Sequence, residues 1–303
     1  MKKFILTIVQ FFIKFSSPIL KPLLNHISPT IIVLVDGGIC SQMRQYLMAD
    51  VFIQKGYDVE LNLSFFKNGF DMNGEQVRNF DLEKTFPHLK VKKASRLKIF
   101  LYKSLFPYVG HYPKDDSINW VNLKSPSIML GYFADPDWLY KRMPEVFKVD
   151  KSVLDKKNLE LYNSISEKSV AIHVRRGDLA VVDTIGFYGA PASVDYFIKA
   201  INYLNERFSG PDFYFFSDDV QYVKEKIITN IDNSIKCHLI TNGSEKGYYD
   251  LLLISKCSHQ ITSKGSLGKF GACMNTDRGV VIVVKDELQL GPLLTADKEI
   301  IRM

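Results

Sequence analysis

Apolar runs that alternate with amphipathic segments divide the chain into two series of predicted strands and helices. The first series begins at residues 31–35, an apolar β-branched run that ends at Asp36-Gly37-Gly38 and predicts a buried strand before a tight turn. A helix over residues 41–55, capped by Ser41, and a strand over 57–63 follow. This order is typical of a doubly wound α/β domain. No order is predicted for residues 70–125.

The second series begins near residue 169. Strands are predicted over residues 170–175, 213–216, 237–241 and 260–263, and helices over 194–208, 220–228, 248–256 and 266–275. Such alternation predicts a mostly parallel sheet that binds ligands at the carboxyl ends of its strands. The sequence therefore predicts an α/β protein with an N-terminal segment (1–29), a first Rossmann-like domain (30–155) and a second one (156–303).

The N-terminal segment is strongly apolar over residues 4–13, but Lys14 interrupts the run before the roughly 20 residues that a membrane span needs. No small-residue cleavage site follows, which disfavours a secretory signal. Polar residues at spacings of three and four leave a narrow polar stripe on an apolar helix: Lys3, Thr7, Gln10, Lys14, Ser17 and Lys21. This favours an in-plane membrane contact through residues 4–21. A terminal helix packed on the core shows a similar pattern and stays open.

Composition and charge restrict the class of protein, its partners and its compartment. With 46% hydrophobic and 24% charged residues in 303, the chain is typical of a soluble globular protein. Its net charge of +6 favours anionic partners, but no nucleic-acid motif is present and nucleic acid is not an expected partner. The four cysteines have neither zinc-ligand nor disulfide-framework spacing, which fits a reducing cytoplasm.

The strongest chemical signal lies in residues 170–178, Val-Ala-Ile-His-Val-Arg-Arg-Gly-Asp. Alternation places His173 and Arg175 on one face of a strand, and Arg176 and Asp178 at its carboxyl end. Guanidinium forks match phosphate oxygens, glycine permits a close approach, and aspartate can orient a guanidinium, so the motif suits a diphosphate. A surface strand with a local salt bridge is the alternative.

This motif resembles the H-x-R-R-x-D signature of the α-1,2-fucosyltransferase family, glycosyltransferase family 11, of the bacterial surface-polysaccharide type. Further segments resemble the family in the same order, and the resemblance spans residues 31 to about 275. They are Gly37-Gly38-Ile39-Cys40-Ser41-Gln42-Met43-Arg44-Gln45-Tyr46, Gly131-Tyr132-Phe133, Phe216-Ser217-Asp218-Asp219, Asp250-Leu251 and Ser255-Lys256-Cys257-Ser258-His259.

The resemblance implies a GT-B-like fold of two Rossmann-type domains facing a cleft. It implies inverting transfer of L-fucose from GDP-L-fucose to the 2-hydroxyl of a galactoside, with no cofactor and no metal. The acceptor, a galactose-containing glycan of a bacterial O-antigen or other surface polysaccharide, could be carried on a lipid. A cytoplasmic enzyme peripheral to the inner face of the cytoplasmic membrane is the expected setting.

Site residues follow from the matched positions. Arg175 and Arg176 are expected to neutralise the donor diphosphate, with His173 and Asp178 orienting the site. Ser217, Asp218 and Asp219 could bind guanine or ribose, or could cap the next helix. On the donor side, the expected site also includes Asp250 and a phosphate-binding turn formed by Ser263, Lys264, Gly265 and Ser266, with Lys269 adding charge. On the acceptor side, the expected residues are Gly37, Gly38 and Gln42.

Departures from the family pattern leave the donor sugar open. Residues 265–272 replace the family's S-S-F-S-W-W-G-A, and Cys40, Ser41 and Leu179 also differ. GDP-L-colitose is therefore an alternative donor, and a non-catalytic scaffold that binds glycan or nucleotide sugar is the alternative of another class.

Asp135-Pro136-Asp137 reads as a turn and not a metal site. Candidates for the catalytic base are Asp36, His111, Asp115 and Asp116.

Overall fold

The computed structural model describes residues 2–27, 29–67, 78–106, 108–110, 125–133, 137–177, 190–287 and 290–303. The chain forms two compact units, residues 1–83 with 88–139, and residues 84–87 with 140–303. The second unit thus includes residues 140–155, which the sequence analysis assigned to the first domain. Ring packing accounts for this: Tyr140 meets Phe270 edge to face at 5.9 Å between centroids, and Phe86 lies 4.9 Å from Phe147.

The first unit contains a four-stranded parallel sheet in the order β2-β1-β4-β3. Its strands are β1 (Thr30–Leu34), β2 (Asp58–Asn62), β3 (Tyr108–Val109) and β4 (Ser127–Met129). Helix α3 (Ile39–Gln54) connects β1 to β2, and α5 (Arg96–Leu105) precedes β3. The order β1, α3, β2 confirms the predicted strand–helix–strand opening. The β-branched run of β1 is buried, as predicted.

The start of α3 differs from the prediction. Gly38 precedes the helix, and no side chain caps it, so Ser41 lies inside the first turn instead of at the cap. The turn is made by Gly37, whose φ of +69° is in the left-handed region that favours glycine. Ser95 does cap a helix: its Oγ accepts a hydrogen bond from the Lys98 amide at the start of α5.

Two further helices, α1 (Lys2–Phe15) and α2 (Ser17–Ile27), precede β1 and contact α5. Within the described ranges, no helix is long and apolar enough to cross a membrane. A short helix, α4 (Leu82–Thr85), lies where the chain passes between the two units.

The second unit contains a six-stranded parallel sheet in the order β10-β9-β8-β5-β6-β7. The strands are β5 (Ser169–Val174), β6 (Asp212–Ser217), β7 (Cys237–Ile240), β8 (His259–Thr262), β9 (Gly279–Val283) and β10 (Lys298–Arg302). The helices are α6 (Asp137–Tyr140), α7 (Met143–Val146), α8 (Lys156–Ser164), α9 (Val194–Arg207), α10 (Val220–Tyr222), α11 (Gly247–Lys256) and α12 (Leu267–Met274). The predicted α/β class is confirmed.

The predicted helix over residues 220–228 has mixed geometry, because α10 continues as a π-helix (Val223–Ile227) and a 3₁₀ turn (Ile228–Asn230). Strands β9 and β10 were not predicted. The chain starts at β5 in the middle of the sheet, adds β6 and β7 on one side, and then returns to place β8 on the other. The strand order therefore reverses between β5 and β8, and sheets of this kind bind ligands at the carboxyl ends of the strands at that point.

Candidate active site

The arginines of the sequence motif lie at the point where the strand order reverses. All six residues of β5 are buried, and Arg175 and Arg176 follow its last residue. Neighbouring β8 is tied to this end by two hydrogen bonds: the Arg175 amide donates to Ser263 Oγ (2.8 Å), and the Ser263 amide donates to the His173 carbonyl (3.1 Å). Ser263 therefore fixes the junction of the two strands. Asp178 lies outside the described residues.

Asp218, which follows β6, holds both arginines. One carboxylate oxygen accepts from Nη1 of Arg175, and the other accepts from the backbone amide of Arg176 at 2.9 Å. Gly177 makes this approach possible, because a Cβ at that position would lie 2.6 Å from Asp218 Oδ2. The side chains are largely shielded, 23% exposed for Arg175 and 10% for Asp218, so this charge pair is more strongly coupled than a surface pair.

Arg176 has its own set of contacts. Its Nε donates to Asp219 Oδ2 at 3.2 Å, and its guanidinium carbon lies 3.7 Å from the centre of the Tyr222 ring. Carboxylate and ring together fix the plane of the guanidinium. Tyr222 was missed by sequence reasoning, since its role depends on α10 returning the ring to the end of β5. Among the described residues, the two terminal nitrogens of Arg176 have no hydrogen-bond partner.

Ser217 and Asp219 hydrogen-bond to backbone groups of the neighbouring strand end and helix. Asp219 caps α10 by accepting from the Tyr222 amide at 3.0 Å, as the helix-cap alternative predicted. Ser217 Oγ donates to the Val174 carbonyl (2.8 Å) and accepts from the Asp219 amide (3.0 Å). These side chains thus shape the strand ends and orient the arginines.

The turn over residues 263–266 leads from β8 into α12. Gly265 has a φ of +112°, and a Cβ there would lie 3.5 Å from Arg175 Cγ. Ser266 precedes α12 without making a side-chain cap. Gly268 lets the first turn of α12 pack on β5, because an added Cβ would come within 2.9 Å of His173 Cβ. The turn that begins α12 therefore lies beside Arg175, as the predicted phosphate-binding turn requires.

Both lysines of this region are paired with carboxylates that follow β9. Lys264 Nζ lies 2.8 Å from Asp286 Oδ2 near the surface. Lys269 was expected to add charge to a phosphate site, but its Nζ lies 3.0 Å from Glu287 Oε2 in the interior, where the side chains are only 6% and 9% exposed. Glu287 and Asp286 were missed by sequence reasoning because the region after residue 275 was left without a predicted element.

His173 is buried on β5 beside Arg175. Burial and then the charges of Arg175 and Lys269 lower the pKa of its imidazole to about 3, so the ring is neutral at physiological pH. Its Nδ1 has no hydrogen-bond partner among the described residues. The ring can therefore pack or accept a hydrogen bond, but it is a poor proton reservoir.

Asp250 lies in the first turn of α11, close to the carboxyl end of β7. Its Oδ1 accepts from Nδ2 of Asn242, two residues beyond that strand, at 2.8 Å. Burial raises the pKa of this carboxyl to about 7, against the opposing effects of Asn242 and Lys157. Asn242 was also missed, because its importance depends on this contact.

A cavity of about 230 Å³ opens beside Lys264 and Asp286. Tyr196 and Ser193, at the start of α9, form another part of its wall. Within the described ranges, no three His, Cys, Asp or Glu side chains are grouped so that they could hold a metal ion.

The predicted acceptor-side residues lie at the turn between β1 and α3. Gln42 is fully buried: its Nε2 donates to the carbonyls of Gly37 (3.0 Å) and Asn79 (2.8 Å), and its Oε1 accepts from the amides of Asp81 (2.9 Å) and Leu82 (3.1 Å). These bonds give Gln42 a structural role in the first unit.

Asp36 is the one candidate base within the described residues. It is buried, and its Oδ1 accepts from Nε2 of Gln45 at 2.8 Å. Gln45 also donates to the Gly131 carbonyl at 3.1 Å, so this amide links the ends of β1 and β4. His111, Asp115, Asp116 and Leu179 lie outside the described residues, as do Asp135 and Pro136 of the predicted turn.

Comparisons with known proteins agree with this fold. The chain resembles the crystal structure of NodZ α-1,6-fucosyltransferase co-crystallized with GDP, at a TM-score of 0.50 and 10% identity over 82% of this chain and 93% of that one. Selenomethionine NodZ from Bradyrhizobium gives a TM-score of 0.51 at 12% identity, over 82% and 92%. The fold is thus GT-B-like, with parallel α/β sheets in both units.

Residues 82–293 match the model of glycosyl transferase family 11, and the chain belongs to that family. The protein is therefore a glycosyltransferase. It is 24% identical to an α-1,2-colitosyltransferase of Escherichia coli over 83% of this chain and 90% of the relative. It is 23% identical to the O-antigen biosynthesis glycosyltransferase WbnK of the same species, over 82% and 91%. A mouse galactoside α-(1,2)-fucosyltransferase 2 is 28% identical over 38% of this chain and 33% of the relative.

Replacing Gln42 with leucine should destabilise the protein by about 3 kcal/mol, because the backbone groups that its amide satisfies would lose their partners in the interior. Chemical denaturation measures this change. Gln54→Leu is the matched control on the same helix: Gln54 is exposed, and its amide donates one long bond of 3.4 Å to Asp50, so a change within about 0.5 kcal/mol is expected. Equal effects of the two substitutions would contradict the structural role of Gln42.

Replacing Lys269 with methionine should cost about 3–5 kcal/mol of stability, because the buried Glu287 carboxylate would lose the ammonium group that lies 3.0 Å from it. The double variant Lys269→Met, Glu287→Leu should recover most of that loss in the same denaturation measurement. Lys264→Met is the control, since its partner Asp286 is 71% exposed and the pair should contribute less than about 1 kcal/mol. A double variant no more stable than Lys269→Met would disprove the coupling.

Proposed function

We propose that the protein is an inverting glycosyltransferase that moves a deoxyhexose from a GDP-linked donor to the 2-hydroxyl of a galactoside. GDP-L-fucose is the first candidate donor and GDP-L-colitose the alternative. The acceptor belongs to a bacterial O-antigen or another surface glycan. The names of the relatives support these choices, since they include an α-1,2-colitosyltransferase, an O-antigen glycosyltransferase and a galactoside α-1,2-fucosyltransferase.

One observation carries the proposal: two adjacent arginines lie at the strand-order reversal between β5 and β8, next to the turn that begins α12. A sugar diphosphate brings two negative charges to such a position. The terminal nitrogens of Arg176, whose side chain is 24% exposed, are suitable donors to its oxygens. Asp218, Asp219 and Tyr222 would hold both guanidinium groups in place before the donor binds, which lowers the cost of reorganisation.

The carboxyl edge of the sheet suggests how the rest of GDP lies. Neighbouring strands are about 4.8 Å apart, so the end of β7 is roughly 10 Å from the end of β5, across β6. With the diphosphate at β5, a nucleoside extended along this edge would bring its base to Asn242 and Asp250. An ionised Asp250 carboxylate can accept hydrogen bonds from the adjacent N1–H and N2 amino groups of guanine, a pair of donors that uracil does not present.

Chemistry then takes place at the anomeric carbon of the donor. The acceptor hydroxyl oxygen forms a new bond to the anomeric carbon. At the same time the bond between this carbon and the diphosphate oxygen breaks, and GDP leaves with the bonding electrons. Arg175 and Arg176 stabilise the charge that develops on the leaving phosphate. We propose that this positive charge makes a metal ion unnecessary. A base on the acceptor side takes the hydroxyl proton.

The deciding experiment assays purified full-length protein with GDP-fucose, GDP-colitose, GDP-mannose and UDP-galactose, with a β-galactoside acceptor and excess chelator. Selective transfer from GDP-fucose or GDP-colitose is expected. In the same assay Arg175→Ala and Arg176→Ala should each lower kcat/KM about a hundredfold or more, because each removes a charged donor to the leaving diphosphate.

Arg278→Ala is the matched control, since Arg278 is 88% exposed and pairs with Asp297 at the surface. It should leave kcat/KM unchanged. Full activity of both site variants would remove the arginines from the mechanism. Transfer from UDP-galactose alone would overturn the donor assignment. Transfer from a GDP-sugar only after a metal ion replaces the chelator would overturn the metal-free mechanism.

Asp250→Asn should weaken binding of GDP-fucose about tenfold or more and reduce the preference for GDP over inosine diphosphate, which lacks the N2 amino group. The acidic form of Asp250 cannot accept both bonds, and its pKa of about 7 places the change near neutrality. Affinity of the wild type for GDP-fucose should therefore rise between about pH 6 and about pH 8. Titration calorimetry of both proteins measures this.

The asparagine variant should lose that pH dependence, whereas Glu245→Gln, which removes an exposed carboxylate just before α11, should keep it. Identical pH profiles for wild type and Asp250→Asn would disprove the role of Asp250 without affecting the proposal for the arginines.

A further inference from the structure

An apolar face of the two N-terminal helices is exposed. It consists of Ile8, Phe11, Phe12, Phe15, Ile19 and Leu23, hereafter the aromatic face. Phe11 is 67% exposed, Phe15 79% and Ile19 75%. Their spacing of three and four residues places them along one side of α1 and α2, and backbone bonds from the amides of Ser16 and Leu20 join the two helices with little interruption.

A different side of the same helices is covered by the protein. Ile13, Leu20 and Leu24 are half-buried, and α1 and α2 both contact α5. The helices are thus attached to the first unit while the aromatic face remains uncovered. Leu97 at the start of α5 is also exposed, at 68%. Contiguous exposed apolar surface of this kind is typical of interaction sites.

The charge of this region indicates the kind of partner. Residues 1–35 contain no aspartate or glutamate. Lys14 and Lys21 are exposed, two helical turns apart and so on one side, and Lys21 Nζ lies 5.9 Å from the Phe106 ring at the end of α5. Arg96 and Lys103 are exposed on α5 itself. An apolar face flanked by cations of one sign complements an anionic lipid surface.

A second copy of the chain fits this surface less well. A symmetric dimer through the aromatic face would bring Lys14 and Lys21 of both copies to one interface, and these helices offer no carboxylate to neutralise them. We propose that the aromatic face docks the enzyme in the plane of an anionic membrane, with Phe11, Phe12, Phe15 and Ile19 entering the lipid and the lysines contacting headgroups. This docking is independent of the proposed donor and acceptor.

Co-sedimentation of the full chain with phosphatidylcholine vesicles, with and without phosphatidylglycerol, tests the proposal in the absence of any sugar donor. Binding is expected to require phosphatidylglycerol and to weaken with added salt. Phe11→Ser with Phe15→Ser should reduce binding at least about tenfold, because two aromatic side chains no longer enter the lipid. Leu294→Ser, at a residue 53% exposed in the second unit, should leave binding unchanged.

Reversing the charge of Lys14 to glutamate should lower binding to the anionic vesicles about fivefold or more, while Lys224→Glu, at an exposed lysine of the second unit, should have no effect. This pair tests the proposal without altering an apolar residue. Thermal melting checks that every variant is folded.

Three results would overturn the proposal. The wild type could fail to bind anionic vesicles, or it could bind them equally well after the phenylalanine substitutions. Alternatively, sedimentation velocity without lipid could reveal a dimer that the phenylalanine variant loses, which would assign the aromatic face to self-association.

Discussion

Asp218 holds the end of β5 through two kinds of contact, one to the Arg175 side chain and one to the Arg176 backbone. Two adjacent guanidinium groups repel each other, and a strand end has backbone amides without sheet partners. The Asp218 carboxylate, just after the neighbouring strand, both neutralises guanidinium charge and accepts a hydrogen bond from a backbone amide. Its approach requires that residue 177 have no side chain. The position of the arginines, and with it any diphosphate chemistry, depends on this carboxylate.

Charge balance shows why these carboxylates need not compete with a donor. Asp218 binds one terminal nitrogen of Arg175, and Asp219 binds Nε of Arg176 while Tyr222 covers one face of that guanidinium. Among the described residues, the Arg176 guanidinium donates only its Nε to a carboxylate, so its terminal N–H groups remain as donors for phosphate. Fixed partners of this kind reduce the motion needed when charge develops on a leaving group.

The sequence predicted which functional residues lie at the ends of strands. It did not predict the contacts between these residues, because those contacts depend on how neighbouring strands pair. The motif around Arg175 could be placed at a strand end from alternation alone. The contact with Asp218 could not, because it depends on pairing Val174 with Ser217. Tyr222 and Asn242 matter only through the return of a helix or loop to the sheet edge. The Lys269–Glu287 pair joins α12 to a loop after an unpredicted strand, and a buried lysine has no local sequence signal.

Periodicity alone does not distinguish the two interpretations of the N-terminal helices, which are packing on the core and contact with a membrane. A narrow polar stripe on an apolar helix agrees equally well with packing on the core and with contact to a membrane, since both remove apolar surface from water. In the structure both helices contact α5 and their residues Ile13 and Leu20 are half-buried, whereas Phe15 and Ile19 on another side stay exposed. The two interpretations therefore apply to different faces of the same helices. The apolar surface exceeds what the protein covers, and that excess is what packing on the core leaves unexplained.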